Sequence, residues 1–289
     1  MLKRQRVGGL ALIVSSSRRM PALEPTAVER AFAADRGGDI VLEAREGPVP
    51  VPPAGSILFE SGGTWRVHAF RRRLLYVIRE EGRAGPATRG LEIDGGWSRG
   101  VLHLAPGPRL GVVGHALSYP LGELLFSHRH TASGGLVLHA SAVLVGGDVV
   151  LFSGVSGAGK TTISRLWRRH CPAATILSDD RVVVRPCDGG YRAWGTPWHG
   201  TGRHASPRSG RIRAVLFLRR GTDDRLASIP PPAAAAQLLA RSFPPIWSRR
   251  AMATALGTVT RFATAVPCYA FSFRIGKGAV AAASSVMRR

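Results

Sequence analysis

Residues 154–161 match a phosphate-binding loop motif at every fixed position. The segment reads Gly154-Val155-Ser156-Gly157-Ala158-Gly159-Lys160-Thr161. The glycines allow successive backbone N–H groups to turn toward phosphate oxygens, the lysine reaches the β- and γ-phosphates, and the threonine hydroxyl can bind Mg²⁺. The motif therefore predicts a nucleotide site over Gly154 to Thr162, with ATP and Mg²⁺ as its ligands.

The segments on either side of the loop have the expected order. Asp148 to Ser153 is a short apolar strand, and Thr162 to His170 has the pattern of a helix. A strand, a glycine-rich loop and a helix N-terminus are the context that the motif requires. This agreement favours a nucleotide site over a glycine-rich turn.

The acidic residues after the loop are few enough to consider one by one. Beyond Glu123 the chain has no glutamate, and its remaining acids are Asp148, Asp179, Asp180, Asp188, Asp223 and Asp224. Only Asp179 and Asp180 follow an apolar strand, and the others read as turn residues. Phosphoryl transfer commonly uses a carboxylate near the acceptor and Mg²⁺. We expect one of the two to contact Mg²⁺ or its water and the other to handle a proton, with an ordinary Asx turn as the alternative.

Composition narrows the class of partner. The chain has 289 residues and a net charge of +22, and its 40 basic residues include only the lysines Lys3, Lys160 and Lys277. A basic surface favours anionic partners, although arginine-rich composition bias explains the charge equally well. We find no stripe of arginine and aromatic residues typical of single-strand binding, so we expect no nucleic-acid partner.

Cysteine use and hydropathy indicate the compartment. Cys171, Cys187 and Cys268 are scattered and form no C-x-x-C pair, which suits a reducing cytosol. No apolar run has the length of a membrane span, and the short run from Val7 to Ser15 resembles a signal peptide only superficially. We expect a cytoplasmic protein with no membrane partner.

The distribution of apolar runs and of glycine and proline along the sequence predicts three regions. We expect a flexible leader at 1–20, a β-rich antiparallel module at 21–115 and an α/β nucleotide-binding domain at 116–289. In the last region the strand Leu136 to Val145 turns straight back into the loop strand, which predicts a mixed sheet rather than a simple βαβ repeat. Helices are predicted at 22–34, 120–129, 162–170, 232–241 and 249–263.

At this point the chain resembles the HPr kinase/phosphorylase catalytic domain and its relatives. The resemblance rests on Leu138-His139-Ala140, on the phosphate loop, and on Leu177-Ser178-Asp179-Asp180-Arg181-Val182. It spans about residues 118 to 275. It is closest to small HPr-kinase-like proteins found with ribosomally made peptides, including lasso peptides. The fold it implies is the core with a phosphate loop and a mixed sheet that HPr kinase and PEP carboxykinase share, here with a small β-rich N-terminal domain.

The resemblance implies roles for individual residues. Lys160 would bind phosphates, Thr161 would bind Mg²⁺, and Asp179 would accept the proton of the acceptor hydroxyl. His139 would orient that aspartate, with an ordinary strand histidine as the alternative, and Asp180 would bind the metal.

The chain also departs from the family pattern. The family has a later metal-site glutamate, which is missing here, and Gly195 to Gly202 is the expected replacement. The basic residue found late in the family's site has no clear match, and the candidates are Arg203, Arg208, Arg211 and Arg213. Trp198 and His199, on a Thr-Pro-Trp-His loop, are candidate contacts for an acceptor peptide together with Arg203. A packed aromatic that pins this loop is the alternative.

The function expected from the resemblance is a Mg²⁺- and ATP-dependent kinase. Its acceptor would be a serine or threonine hydroxyl of a peptide or protein, such as a lasso-type precursor peptide. The alternative is a nucleotide-binding regulatory module with little or no transfer, which the missing glutamate favours. The sequence is compatible with a homo-oligomer.

Overall fold

The structure is a computed structural model that describes residues 1–79, 85–106 and 115–287. It separates into two compact units. One contains Met1–Arg6 and Leu10–Ala132, and the other contains Val7–Gly9 and Ser133–Arg289. The division therefore lies beyond the boundary at 115/116 that we predicted.

The first unit is built on one eight-stranded sheet. Its strands are β1 (Leu2–Val7), β2 (Leu10–Ser15), β3 (Ile40–Glu46), β4 (Ile57–Glu60), β5 (Trp65–Phe70), β6 (Arg73–Arg79), β7 (Ala87–Ile93) and β8 (Arg99–Leu104). Its α-helices are α1 (Ala27–Arg30) and α2 (Leu121–Ala132), and Pro21–Leu23 is a 3₁₀ turn. The strand order is β1-β2-β3-β8-β7-β6-β5-β4.

The expectation of a purely antiparallel module was wrong. Strand β3 pairs in parallel with both β2 and β8, while β4 to β8 form an antiparallel meander. The predicted helix over 22–34 is reduced to the four residues Ala27–Arg30, which begin at a capping box between Thr26 and Glu29. Strand β7 was not predicted, because Arg89 and Gly90 interrupt its apolar pattern.

The predicted flexible leader at 1–20 was also wrong. Residues 2–15 form strands β1 and β2, joined by a turn at Gly8 and Gly9 where φ is positive. The inward residues of β1 include Lys3 and Gln5. Polar residues on the buried face reverse the usual strand pattern, so the alternation could not be read as a strand.

The second unit contains the phosphate loop. Its strands are β9 (Leu136–Val145), β10 (Asp148–Ser153), β11 (Thr175–Ser178), β12 (Arg181–Cys187), β13 (Gly190–Trp194), β14 (Ser209–Arg220), β15 (Arg225–Ser228) and β16 (Cys268–Phe273). Its helices are α3 (Lys160–His170), α4 (Pro231–Leu239), α5 (Arg249–Ala265) and α6 (Lys277–Ser285). Strand β15 and helix α6 were not predicted.

The sheet of the second unit is mixed, as predicted. Its order is β10-β9-β12-β13-β14-β16-β15, and β10 pairs in parallel with β14, which gives the first five strands a barrel-like closure. The β14–β16 pair is parallel and the remaining pairs are antiparallel. The chain is therefore a mixed α/β protein.

Two apolar clusters cover the two faces of this sheet. One joins β9 residues such as Leu138 and Ala140 to α4 and α5, for example through Phe262. The other joins Val143 and Phe152 to α3 and α6. Because strand side chains alternate between faces, His139 and Ser141 lie on the face covered by α3. None of the described helices is long and apolar enough to cross a membrane.

Candidate active site

Strand register brings the predicted site residues together around β9. Ser153, which leads into the phosphate loop, is paired with Ala140, and Arg181 is paired with the adjacent His139. Neighbouring strands lie about 4.8 Å apart, so the loop and Asp180 flank β9 within roughly 10 Å of each other.

The aspartate pair follows strand β11, as predicted, and lies at a bend between two strands. Ser178 and Arg181 both pair with β9, so β11 and β12 follow one antiparallel path with a bend at Asp179 and Asp180. The pair thus lies beside His139 because of antiparallel pairing.

The phosphate loop has the backbone shape that its glycines predict. Gly157 and Gly159 adopt φ values of 76° and 107°, in the left-handed region that favours glycine. A Cβ at Gly159 would also lie 2.9 Å from the ring of Phe273. Helix α3 begins at Lys160, directly after the loop, so its N-terminus faces the same space as the loop.

The Lys160 ammonium lies on the carbonyl groups of its own loop. It donates to the Gly154 oxygen at 2.9 Å and to the Val155 oxygen at 3.2 Å, and its residue is buried. Burial lowers the pKa of Lys160, while the charge of Asp180 acts in the opposite direction. The side chain is therefore a cation placed next to the loop with only neutral oxygens as its described hydrogen-bond acceptors.

A small polar contact supports the start of α3. The hydroxyl oxygens of Ser141 on β9 and Ser164 on α3 lie 2.6 Å apart, and both residues are fully buried. Ser164 also donates to the carbonyl of Lys160 at 3.0 Å. This pair fixes the first turn of α3 against β9 and leaves Thr161 and Thr162 at the cleft.

The Asp179 carboxylate is occupied by backbone groups of the following loop. Oδ1 accepts N–H hydrogen bonds from Gly200 at 3.0 Å and His204 at 3.2 Å, and Oδ2 accepts one from Gly202 at 2.6 Å. The residue is 3% exposed. With three N–H donors on its two oxygens and almost no exposed surface, Asp179 suits the role of holding residues 200–204 better than that of a base.

The Asp180 carboxylate is the more accessible of the two. Its Oδ1 lies 3.0 Å from Nδ1 of His139 and its Oδ2 lies 2.9 Å from Nη1 of Arg181, with 27% of its side chain exposed. Burial alone would raise the pKa of Asp180, but the hydrogen bond from His139 and the charge of Arg181 outweigh burial and hold that pKa below its ordinary value. Asp180 is therefore ionised at neutral pH.

The position of the proton on the His139 ring determines the hydrogen bonds among His139, Asp180 and Arg181. Its Nδ1 is 2.8 Å from Nη1 of Arg181 as well as 3.0 Å from Asp180. With the proton on Nδ1, His139 donates to Asp180; with the proton on Nε2, it accepts from Arg181. In both cases the imidazole fixes the position of a group that contacts the carboxylate. Arg181 is held from its other side by the ring of Phe243, whose centroid is 4.2 Å away.

These groups line one cleft of about 410 Å³. The lining residues are His139, Ser156, Gly157, Gly159, Lys160, Thr161, Thr162, Asp179, Asp180, Gly200 and Thr201. The structure thus brings together the loop, its lysine and threonines, the histidine and the aspartate pair, all of which were predicted as site residues.

The donor set of the cleft fits magnesium in one specific way. Mg²⁺ at nucleotide sites takes one or two protein oxygens and completes its shell with phosphates and water. The Thr161 hydroxyl and the Asp180 carboxylate are oxygen donors of this kind. Within the described residues, no group of three or more His, Cys, Asp or Glu side chains is arranged to hold a metal. A magnesium ion here would need phosphate oxygens as further ligands.

The predicted substrate contacts lie outside this cleft lining. His199 and Arg203 are exposed, Trp198 is partly buried, and Arg203 adopts a φ of 53° in the turn that follows Gly200. The end of the segment Gly195 to Gly202 supplies N–H donors to Asp179. That this segment replaces the missing acidic segment stays a prediction.

The other basic candidates have separate partners. Arg208 contacts Thr175, Arg211 contacts the Gly189 carbonyl, and Arg213 pairs with Asp148. Sequence reasoning missed Arg181, whose guanidinium contacts Asp180 at 2.9 Å. Its position directly after the aspartate pair could have identified it. Strand β12 begins at Arg181, which pairs with His139 on the neighbouring strand β9.

The structure defines a mixed α/β protein that carries the loop motif of residues 154–161 on a mixed sheet. A family model described as SynChlorMet cassette protein ScmC matches residues 123–278, which is more than half of the chain. The chain belongs to this family. A comparison with curated proteins gives no match.

Proposed function

We propose that this protein is a Mg²⁺- and ATP-dependent kinase that transfers the γ-phosphate to a serine or threonine hydroxyl of a peptide or protein. One observation carries the proposal: the phosphate loop, Lys160, Thr161 and the Asp180–His139 pair line a single cleft. Phosphoryl transfer is catalysed mainly by positioning and by charge stabilisation, which is what this set of groups supplies.

In this proposal the acceptor oxygen forms a bond to the γ-phosphorus as the bond to the β–γ bridging oxygen breaks. The hydroxyl proton moves to the carboxylate of Asp180, and ADP leaves. We assign the proton to Asp180 rather than Asp179, because Asp179 is 3% exposed and accepts three backbone N–H hydrogen bonds, whereas 27% of the Asp180 side chain is exposed.

The remaining groups hold the reacting atoms. Lys160 would exchange the carbonyls of Gly154 and Val155 for phosphate oxygens, which are stronger acceptors for an ammonium group. Arg181 and His139 would fix the orientation of Asp180. Thr161 would hold Mg²⁺, which would supply charge neutralisation of the phosphates.

The acceptor class follows from the family and the charge. Because the family is described as a cassette protein, the first acceptors to test are the products of genes beside this one. A chain with a net charge of +22 suits an acidic peptide.

The test is intact-mass measurement of neighbouring peptides after incubation with Mg²⁺-ATP. We expect a gain of one phosphate with the wild-type protein and with Asp188→Asn, a matched change at an exposed turn. We expect no gain with Asp180→Asn. ATP binding without a mass change in any neighbouring peptide would contradict the kinase and support the regulatory module instead.

A further inference from the structure

A second cleft lies on the other side of the phosphate loop. It encloses about 570 Å³, and its lining includes Gly159, Thr162, Phe273 and Ile275. Gly157, Gly159 and Thr162 also line the first cleft, so the two spaces share the loop as a common wall.

The chemistry of the two clefts differs. The first contains Lys160, Asp179, Asp180 and His139. Among the described residues, the second has no carboxylate in its lining, and its larger side chains are those of Phe273, Ile275 and Arg274. Ile275 is 75% exposed there, although its side chain is apolar. Together, Phe273 and Ile275 give this cleft an apolar surface on which an aromatic group can pack.

The wall made by Phe273 approaches the loop closely. A Cβ on Gly159 would lie 2.9 Å from the Phe273 ring, and that ring stacks on Phe271 with centroids 5.4 Å apart. The ring is therefore fixed from behind by the sheet, and it borders the point where the loop becomes helix α3.

Two aspartates hold the rest of the wall in place. Asp224 accepts the backbone N–H of Arg274 at 2.9 Å, and Asp223 accepts the hydroxyl of Ser272 at 3.0 Å. The sequence alone suggested a solvated turn for this pair. Their contacts instead anchor residues 272–274, so the wall is ordered before any ligand binds.

We propose that this second cleft binds the nucleoside part of the nucleotide, with the base packed on Phe273 and Ile275. This inference rests on the proposed function, because it needs a nucleoside triphosphate on the loop. The terminal phosphates would then extend toward Lys160 and Asp180, and the base toward the apolar wall. Continuity of the two clefts across Gly159 and Thr162 identifies one elongated ligand as the occupant.

The test compares ATP with tripolyphosphate, which carries the charges but no nucleoside. Binding of each to the full chain is measured by calorimetry in Mg²⁺ for the wild type, Ile275→Gln and Phe273→Leu. We expect roughly tenfold weaker ATP binding in each variant, as loss of apolar contact predicts, with tripolyphosphate affinity unchanged. Leu256→Gln, at a 54% exposed position on α5, is the control and should change neither.

The outcomes separate the two proposals. Equal binding of ATP and tripolyphosphate by the wild type, or unchanged ATP binding by Ile275→Gln, would overturn the nucleoside site. Absence of binding by both ligands in the wild type would overturn the nucleotide site itself. Because Ile275 is exposed, its variant keeps the test valid if Phe273→Leu fails to fold.

Discussion

The two units use the same types of ionisable side chain in different ways. In the first unit, Nζ of Lys3 lies 3.0 Å from Glu29 and 2.5 Å from His115, and all three side chains are largely buried. In the second unit, Lys160 and Asp180 border an open cleft. The first group is closed by its own members, whereas the second faces space that a ligand can fill.

A second polar cluster in the first unit repeats this pattern. The Tyr76 hydroxyl accepts from the Trp97 indole at 2.6 Å and lies 2.8 Å from Nδ1 of the buried His128. Burial alone is therefore a poor indicator of function in this chain. What distinguishes the candidate active site is that polar groups meet at a cleft and keep capacity for a further partner.

The largest expected effect on ligand binding concerns Lys160, the lysine that borders the open cleft. Lys160→Met should weaken ATP binding about 100-fold, because a charge-assisted contact to phosphate is lost. Lys277→Met, at an exposed position, should leave ATP affinity within about twofold. Calorimetric titration measures both. Equal affinities for the two variants would show that Lys160 makes no special contact to the phosphates of ATP.

Substitutions in the buried cluster of Lys3, Glu29 and His115 should change the stability of the protein rather than its affinity for ATP. Glu29→Gln leaves the Lys3 charge buried without its carboxylate, and we expect the free energy of unfolding to fall by about 2 kcal/mol with ATP affinity unchanged. Glu24→Gln removes an ion pair with Arg19 whose side chains are 47% and 81% exposed, and should cost little. Denaturant unfolding of both variants makes the comparison. If Glu29→Gln cost as little stability as Glu24→Gln, the buried cluster of Lys3, Glu29 and His115 would not stabilise the fold.

Low pH should reduce the stability of the first unit through its buried histidine His128. Burial lowers the pKa of His128 to about 3, below the ordinary value near 6.5. The unfolded chain therefore binds a proton that the folded chain does not, and stability present above about pH 6.5 is lost as pH falls toward 3. The slope is at most about 1.4 kcal/mol per pH unit for this group.

The measurement is denaturant unfolding at several pH values between 7 and 4. His128→Gln should give a shallower fall in stability than the wild type. An identical slope in the variant would show that His128 does not titrate on unfolding. His115, whose pKa burial lowers to about 4, contributes in the same direction and remains in both proteins.

The smallest effect is expected at the loop that holds Asp179. A Cβ at residue 202 would lie 2.5 Å from Oδ2 of Asp179, so Gly202→Ala must shift the loop. We expect a loss of about 1 kcal/mol in stability and a fall of several-fold in transfer rate. Gly63→Ala, where a Cβ meets nothing within 4 Å, is the control. Unchanged rates in both variants would show that loop position does not affect the cleft.

The sequence predicted the parts of the site that depend on local spacing. The phosphate loop, strands β9 and β10, and the residues His139, Asp179 and Asp180 could all be identified, since each has a local pattern. The separate roles of the two aspartates could not. They depend on which carboxylate receives the N–H groups of residues 200–204, a contact between segments distant in sequence.

The fold of the first unit was harder to predict from the sequence for a related reason. Strand β1 places Lys3 and Gln5 inward, and β7 contains the buried Arg89. Their burial depends on partners elsewhere in the chain, such as Glu29 for Lys3 and the Ser118 carbonyl for Arg89. A polar residue on a buried face gives no local pattern in the sequence. Strands β1 and β7 therefore could not be predicted without knowing their tertiary contacts.

The most direct test of the account compares the two neighbouring aspartates in the same transfer assay. Initial rates of phosphate transfer to the identified peptide are measured for Asp180→Asn and Asp179→Asn, with ATP affinity and thermal stability as accompanying readouts. We predict that Asp180→Asn lowers the rate about 1,000-fold while ATP affinity and stability remain close to wild type. Asp179→Asn should lower stability and reduce the rate far less. A folded Asp179→Asn protein without activity, beside an active Asp180→Asn protein, would contradict the account.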